Sequence, residues 1–144
     1  MNVLIGDIGN TITKICLADI KSLKIKKIIY LDSKKIFSER YLKNSLRKKI
    51  NNNFIIKNAL FSSVVPKHKL ALKKFLKKYH KIIVNEIKDN GINKIIKINL
   101  KNKKQVGSDR IANAAGVYKK YKTNCIVLDF GTATTFDVIT KNGV

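Results

Sequence analysis

The chain has 144 residues, 44% of them hydrophobic, and a formal net charge of +22 at pH 7, enough for one ordinary domain with a real core and short for a two-domain enzyme. No apolar run approaches the length of a membrane span and Met1-Asn2 leads straight into a strand without a signal peptide's features, so a cytoplasmic protein with no membrane association is expected. The charge is nearly all lysine, with arginine only at Arg40, Arg47 and Arg110, and no aromatic residues interleave with it as a stacking platform would require; a solvated basic surface is expected in preference to a specific nucleic-acid site.

Residues 2 to 9 read as an apolar strand, Val3-Leu4-Ile5-Gly6-Asp7-Ile8, running into the polar turn Gly9-Asn10-Thr11. Ile12 to Asp19 alternates, with Ile12, Cys16 and Ala18 on one side and Thr13, Ile15 and Leu17 on the other, which makes a β-hairpin. Lys14 lies just past the turn, where its ammonium could reach a phosphate held there or simply face solvent. Residues 24 to 31 form a third strand whose lysines discourage edge pairing. Ser38 can cap a helix from Glu39 to about Ile50, with Leu42, Leu46 and Ile50 on one face, ending in Asn51-Asn52-Asn53. A strand is expected over Ala59 to Val65, and Pro66 then opens a helix to about Tyr79 that buries Leu72, Phe75, Leu76 and Tyr79. Lys81 to Val84 reads as a short strand. An irregular polar stretch with a short strand near Ile95 to Ile98 follows.

Val106-Gly107-Ser108-Asp109-Arg110 then feeds a helix in which Ile111, Ala114, Ala115 and Tyr118 share a face and Ser108 is placed as the N-cap. Asp109 and Arg110 fall in its first turn. An aspartate there complements the helix dipole, whereas a cation is unfavourable, so Arg110 points to a site demand: a fork for an incoming carboxylate. The last segment, Cys125-Ile126-Val127-Leu128-Asp129-Phe130-Gly131-Thr132-Ala133-Thr134-Thr135-Phe136-Asp137-Val138, reads as a buried apolar strand, a tight Gly-Thr turn and a second alternating strand. Cys16 and Cys125 both sit within apolar strand patterns and make no metal-ligand spacing, which suits reduced, packed thiols.

The chain thus holds Asp-x-Gly followed by Asn or Thr twice, at Asp7 and at Asp129. Each copy leaves an apolar strand and enters another, and two such units are better explained by a shared grip on one polyphosphate than by unrelated hairpins. Glycine admits the phosphate, successive amides can point at it, and Thr132, Thr134 and Thr135 add neutral donors. Two phosphate turns with an ionised aspartate at a helix start suggest phosphoryl transfer, in which the protein positions groups and neutralises charge while a carboxylate takes the acceptor hydroxyl's proton. Asp109 suits that base. Asp7 and Asp129 suit cation sites, since Mg²⁺ binds through carboxylates, water and substrate phosphates.

The set Asp7-Ile8-Gly9-Asn10-Thr11, Ser62-Ser63-Val64-Val65-Pro66, Val106-Gly107-Ser108-Asp109-Arg110 and Asp129-Phe130-Gly131-Thr132-Ala133-Thr134-Thr135-Phe136-Asp137 resembles the type III pantothenate kinases over the whole chain. The resemblance implies an α/β, ribonuclease H-like fold of the actin, sugar kinase and Hsp70 superfamily, with a mixed sheet and helices. It implies phosphorylation of pantothenate by ATP with Mg²⁺, the first step of coenzyme A synthesis, and a homodimer with the pantothenate pocket near its interface. Asp7, Ile8, Gly9, Asn10, Thr11, Ile12, Thr13 and Lys14, with Thr132, would bind ATP. Gly107, Ser108, Asp109 and Arg110 would hold pantothenate, Asp109 would be the catalytic base, and Asp129 would bind a monovalent cation, potassium or ammonium.

Two departures from the family pattern stand out. Such enzymes carry a Tyr and then Asn-Pro before the Gly-x-Asp-Arg motif, where this chain has Leu100-Lys101-Asn102-Lys103. Family chains also continue for most of another domain. Residues 1 to 122 are therefore read as a first domain and 123 to 144 as the opening hairpin of a truncated second one, expected to phosphorylate pantothenate poorly or not at all alone. The alternative is a non-catalytic accessory or regulatory relative, like the Bvg accessory factors.

Overall fold

A computed structural model describes residues 1–47, 49–50, 55–89, 91–131 and 133–144. They form two compact units, Met1–Glu86 and Ile87–Val144. In the first, β1 (Asn2–Ile8), β2 (Ile12–Asp19), β3 (Lys24–Asp32), β4 (Ile56–Ser63) and β5 (Ile83–Glu86) make one sheet in the order β3-β2-β1-β4-β5. β1, β2 and β3 pair antiparallel through short turns. β4 joins β1, and β5 joins β4, in parallel, which requires the crossover helices α1 (Glu39–Leu46) and α2 (Pro66–His80). The sheet is therefore mixed, as expected.

The strand pattern shows why β1 sits in the middle. Leu4, Ile8, Ile15, Leu17, Ile29, Leu31, Ala59 and Phe61 are all buried in one cluster with Leu42 and Leu46 of α1 and Leu72, Phe75 and Leu76 of α2. Gly6, also on β1, leaves room for a neighbour, since a Cβ there would lie 2.4 Å from Cδ1 of the buried Phe61 ring.

Several boundaries differ from the sequence expectation. α1 ends at Leu46, short of the expected Ile50; the Leu46 carbonyl accepts from both Lys49 N (2.9 Å) and Ile50 N (2.7 Å), Ile50 is still buried, and Lys48 and Asn51-Asn52-Asn53 lie outside the described residues. Ser38 caps this helix as expected, accepting from Tyr41 N at 3.2 Å. β4 begins earlier and ends at Ser63, because Val65 becomes the extended residue before Pro66. β5 begins at Ile83, since Lys81 is the left-handed residue (φ 56°) that ends α2.

The second unit holds α3 (Ser108–Tyr121) and the antiparallel hairpin β6 (Cys125–Phe130) and β7 (Thr134–Ile139). Residues 95 to 98 form no strand; Ile96 is instead a buried anchor packed with Val106, Ile111 and Ala115. The hairpin also departs from the buried strand expected of it. α3 contacts both strands, yet Ile126, Leu128, Phe130, Phe136 and Val138 are 48–78% exposed on the opposite face. The hairpin is a two-stranded sheet, and these side chains are left exposed among the described residues.

Two outcomes follow from this packing. Gly6→Ala should cost about 1–3 kcal/mol in urea unfolding by overpacking against Phe61, and Phe61→Leu in the same chain should recover part of it. Phe136→Thr with Val138→Thr should lower light scattering in concentrated solution and binding of a hydrophobic dye, with stability moving by no more than about 0.5 kcal/mol.

Candidate functional site

In the first unit, β1 carries Asp7 to the exposed end of the sheet. Its cross-strand neighbours are Lys14 on β2 and Ser62 on β4, and Ser62 Oγ donates to Asp7 Oδ1 at 3.1 Å. Strand alternation places all three on one face, so a carboxylate, an ammonium and a hydroxyl meet beside the turn. Asn10 and Thr11 are exposed at its tip, and Gly9 N donates to Ile12 O at 3.2 Å. Gly9 itself is required, because a Cβ would come within 2.9 Å of that same Ile12 oxygen.

Not every residue of the segment faces outward. Ile8 is buried in the core, and Ile8 O accepts from Val64 N at 3.2 Å. Thr13 is buried as well, its hydroxyl 2.9 Å from Ser33 Oγ. Any ligand contact by these two would come from backbone. Thr13 shares its face with Ile15 and Leu17, and that apolar face is the inner one.

In the second unit, Gly107 rather than Ser108 precedes α3 with extended geometry (φ −59°, ψ 146°), and Ile111 N donates to its carbonyl at 3.2 Å. Ser108 is the first helical residue and is buried. Asp109 Oδ1 accepts from Arg110 N at 2.8 Å, fixing the carboxylate against the first turn's amides. Arg110 proves to be engaged within the chain. Its Nε lies 3.0 and 3.1 Å from the two carboxylate oxygens of Asp137, and its Nη2 also donates to Asp137 Oδ1. This hydrogen bonding pushes the guanidinium still further above its ordinary range. The sequence reading missed Asp137, although strand alternation puts it on the same inner face as Asp129 and Thr135.

A cavity of about 420 Å³ opens beside this pair, walled by Ile96, Leu100, Val106 and Ile139 with Arg110 and Asp137 at its polar side. That size suits a small organic ligand, and a few polar groups on apolar walls can fix such a ligand's orientation. Asp129 lies farther along the hairpin, directly opposite Thr135, and its Oδ2 accepts from Asn113 Nδ2 of α3 at 3.1 Å. Thr135 Oγ1 is buried with no hydrogen-bond partner among the described residues. A carboxylate beside an orphaned hydroxyl is an all-oxygen donor set, which suits a hard cation better than a soft one. Among the described residues no three His, Cys, Asp or Glu side chains cluster as a metal site. Thr132, expected at ATP, lies outside the described residues. Gly131 N donates to Ala133 O at 3.4 Å, and a Cβ on Gly131 would meet only ordinary contact.

The structure thus brings Asp7, Lys14 and Ser62 together in one unit, and Asp109, Arg110, Asp129 and Asp137 on α3 and the hairpin in the other. No helix of the described residues is long and apolar enough to cross a membrane.

The family model of the type III pantothenate kinases matches residues 3–144. A protein of Pelagibacter ubique (strain HTCC1062) named type III pantothenate kinase is 51% identical over 140 residues, covering 97% of this chain and 55% of that protein. Proteins of the same name from Citrifermentans bemidjiense and Paramagnetospirillum magneticum are 43% and 40% identical over 88 and 92 residues, or 61% and 64% of this chain and 34% and 35% of theirs. The chain spans about half the length of the Pelagibacter relative. By a match that runs almost from end to end, it belongs to the type III pantothenate kinase family.

Proposed function

We propose that this protein transfers the γ-phosphoryl group of ATP to the primary hydroxyl of pantothenate, giving 4'-phosphopantothenate for coenzyme A synthesis in the cytoplasm. The observation that carries this reading is the Asp109–Arg110–Asp137 arrangement beside a cavity of ligand size, in a chain that matches the family over residues 3–144. The mixed sheet with strand order β3-β2-β1-β4-β5 supports an actin-like, ribonuclease H-like first domain. We take residues 1–122 as that domain, residues 123–144 as the opening hairpin of a second, and the family form as a homodimer.

On this reading Asp109 orients the pantothenate hydroxyl and takes its proton as that oxygen bonds to the γ-phosphorus and the bond to the β–γ bridging oxygen breaks, with ADP leaving. Arg110, held by Asp137, turns its remaining N–H donors toward the pantothenate carboxylate from the wall of the cavity. Gly107 and Ser108 shape the start of the helix around it. The segment from Asp7 to Lys14 receives the ATP phosphates, with the outward amides of its turn as donors and Lys14 as a counter-charge; Thr132 contacts the same nucleotide. Mg²⁺ held with ATP near Asp7, and potassium or ammonium held by Asp129 with Thr135, would supply positive charge to the phosphate oxygens.

Leu100 favours a second reading, an accessory relative that binds without turnover, since it places an apolar side chain on the cavity wall where the family carries a tyrosine. One assay separates the two. With ATP, Mg²⁺ and K⁺, phosphopantothenate formation by the enzyme should fall by about 10²-fold or more in Asp109→Asn, the scale of a general base. Equal rates in the two proteins would overturn the role of Asp109; binding of both substrates with no product would favour the accessory reading.

Asp137→Asn should act on affinity. It leaves a neutral oxygen where the carboxylate was, so KM for pantothenate should rise about tenfold with a much smaller change in kcat. Stability should fall by about 1–2 kcal/mol, less than for a buried pair, because the two side chains are 30% and 17% exposed.

A further inference from the structure

Beneath the first Asp-x-Gly turn lie two buried hydroxyls that no role above accounts for. Thr13 and Ser33 are both 0% exposed. Ser33 Oγ donates to Gly9 O at 2.8 Å, stands 2.9 Å from Thr13 Oγ1, and Ser33 N donates to Thr11 O at 3.0 Å. One residue therefore holds the carbonyls at both ends of Gly9-Asn10-Thr11.

The direction of this small network is fixed by proton count. A hydroxyl has one proton, and a carbonyl can only accept, so the proton of Ser33 goes to Gly9 and Thr13 must be the donor to Ser33. The result is a relay from Thr13 to Ser33 to the Gly9 carbonyl, each bond strengthening the next in a buried setting. Ser33 is in turn fixed by its neighbours: Asp32 N donates to Tyr41 Oη at 2.8 Å, and Asp32 Oδ1 accepts from Lys34 N at 3.0 Å, closing the 3-10 turn Ser33–Lys35.

Peptide planarity turns this interior contact into a surface property. In a trans peptide the C=O of one residue and the N–H of the next point in opposite directions, and there are no cis peptides among the described residues. A Gly9 carbonyl drawn inward to Ser33 therefore aims the Asn10 N–H outward, at the exposed tip of the turn.

We propose that Ser33 is a positioning residue for phosphate binding: with Thr13 behind it, it locks the Gly9 peptide so that the Asn10 amide is presented, already oriented, to the phosphate chain of a nucleotide. The inference rests on the reading of this turn as the ATP-phosphate site and adds the reason that turn is ordered before ligand arrives. Preorganised donors bind more tightly because no ordering cost falls on the binding step.

The test uses Ser33→Ala and Thr13→Val in the full 144-residue chain, with two readouts: the ¹⁵N order parameter of the Asn10 amide without ligand, and the Kd for Mg·ATP by calorimetry. In the unaltered chain the Asn10 order parameter should be near the rigid value of about 0.85, and Ser33→Ala should bring it below about 0.6. The Kd should rise about tenfold, as for the loss of one well-placed hydrogen bond. Thr13→Val, which keeps the Ser33 bond to Gly9, should move both readouts in the same direction and less.

An Asn10 amide as ordered in Ser33→Ala as before, or a loosened turn with unchanged Kd, overturns the proposal. Loosening of the turn in a protein whose unaltered form binds no Mg·ATP supports the clamp and overturns the phosphate reading of the turn. Should Ser33→Ala not fold, Thr13→Val decides: a looser Asn10 supports the relay, and an unchanged one overturns it.

Discussion

A guanidinium at the start of a helix sits against the positive end of the helix dipole, at a cost of about 0.3–1 kcal/mol. Arg110 sits there, and two of its nitrogens on the Asp137 carboxylate offset that cost, the part-exposed pair contributing about 1–2 kcal/mol in all. Much of the second unit depends on this pair. It joins the first turn of α3 to β7, as Asn113 and Asp129 join the next turn of the helix to β6, so the hairpin is held to the helix through polar contacts as well as through Ile111, Ala115 and Ile139. Lysine could not substitute, because only a planar fork engages a carboxylate through two nitrogens and still presents donors to a neighbouring cavity.

The first unit supports its turn by other means. The two Asp-x-Gly turns read alike, yet the one at Asp7 is built into a five-stranded sheet, with Gly6 making room for Phe61 on one side and the Ser33 hydroxyl beneath. The one at Asp129 ends a two-stranded hairpin, and Gly131 meets no close neighbour. The same short motif therefore carries different mechanical support. The first turn is tied to its sheet through the Ser33 hydroxyl, and the second unit ties the end of β6 to α3 through the bond from Asn113 to Asp129.

Period and punctuation made most of this fold legible. The hairpin of β1 and β2, the Ser38 cap, the Pro66 start of α2 and the apolar stripe of α3 were all visible because local chemistry decides them. Boundaries slipped where the deciding contact was not local: α1 ends at a shared carbonyl, and β5 waits for the left-handed Lys81. Among the site residues, partners distant in sequence were the hardest to see. Ser62 reaches Asp7 across 55 residues and Asp137 reaches Arg110 across 27, and pairing of that kind is set by sheet register and helix docking rather than by any neighbouring residue. Thr13 is a local case: its alternation partners Ile15 and Leu17 mark the inner face, and its hydroxyl is buried there.

The polar residues of the second unit carry two duties at once. A two-stranded hairpin with one exposed apolar face has little stability of its own. What holds β6 and β7 here is the inner face, which Asp129, Asp137 and Thr135 share with Val127 and Ile139. These are also the side chains that face the cavity and the candidate cation position. Any substitution among them therefore perturbs folding and binding together, and loss of activity alone would say little about which was lost. Only a readout that divides affinity from turnover, or local order from global stability, can tell a fastening residue from a reacting one. Asp109 differs in this respect: it accepts from the amide of the next residue, a contact that Asn can largely keep while losing the charge needed to take a proton.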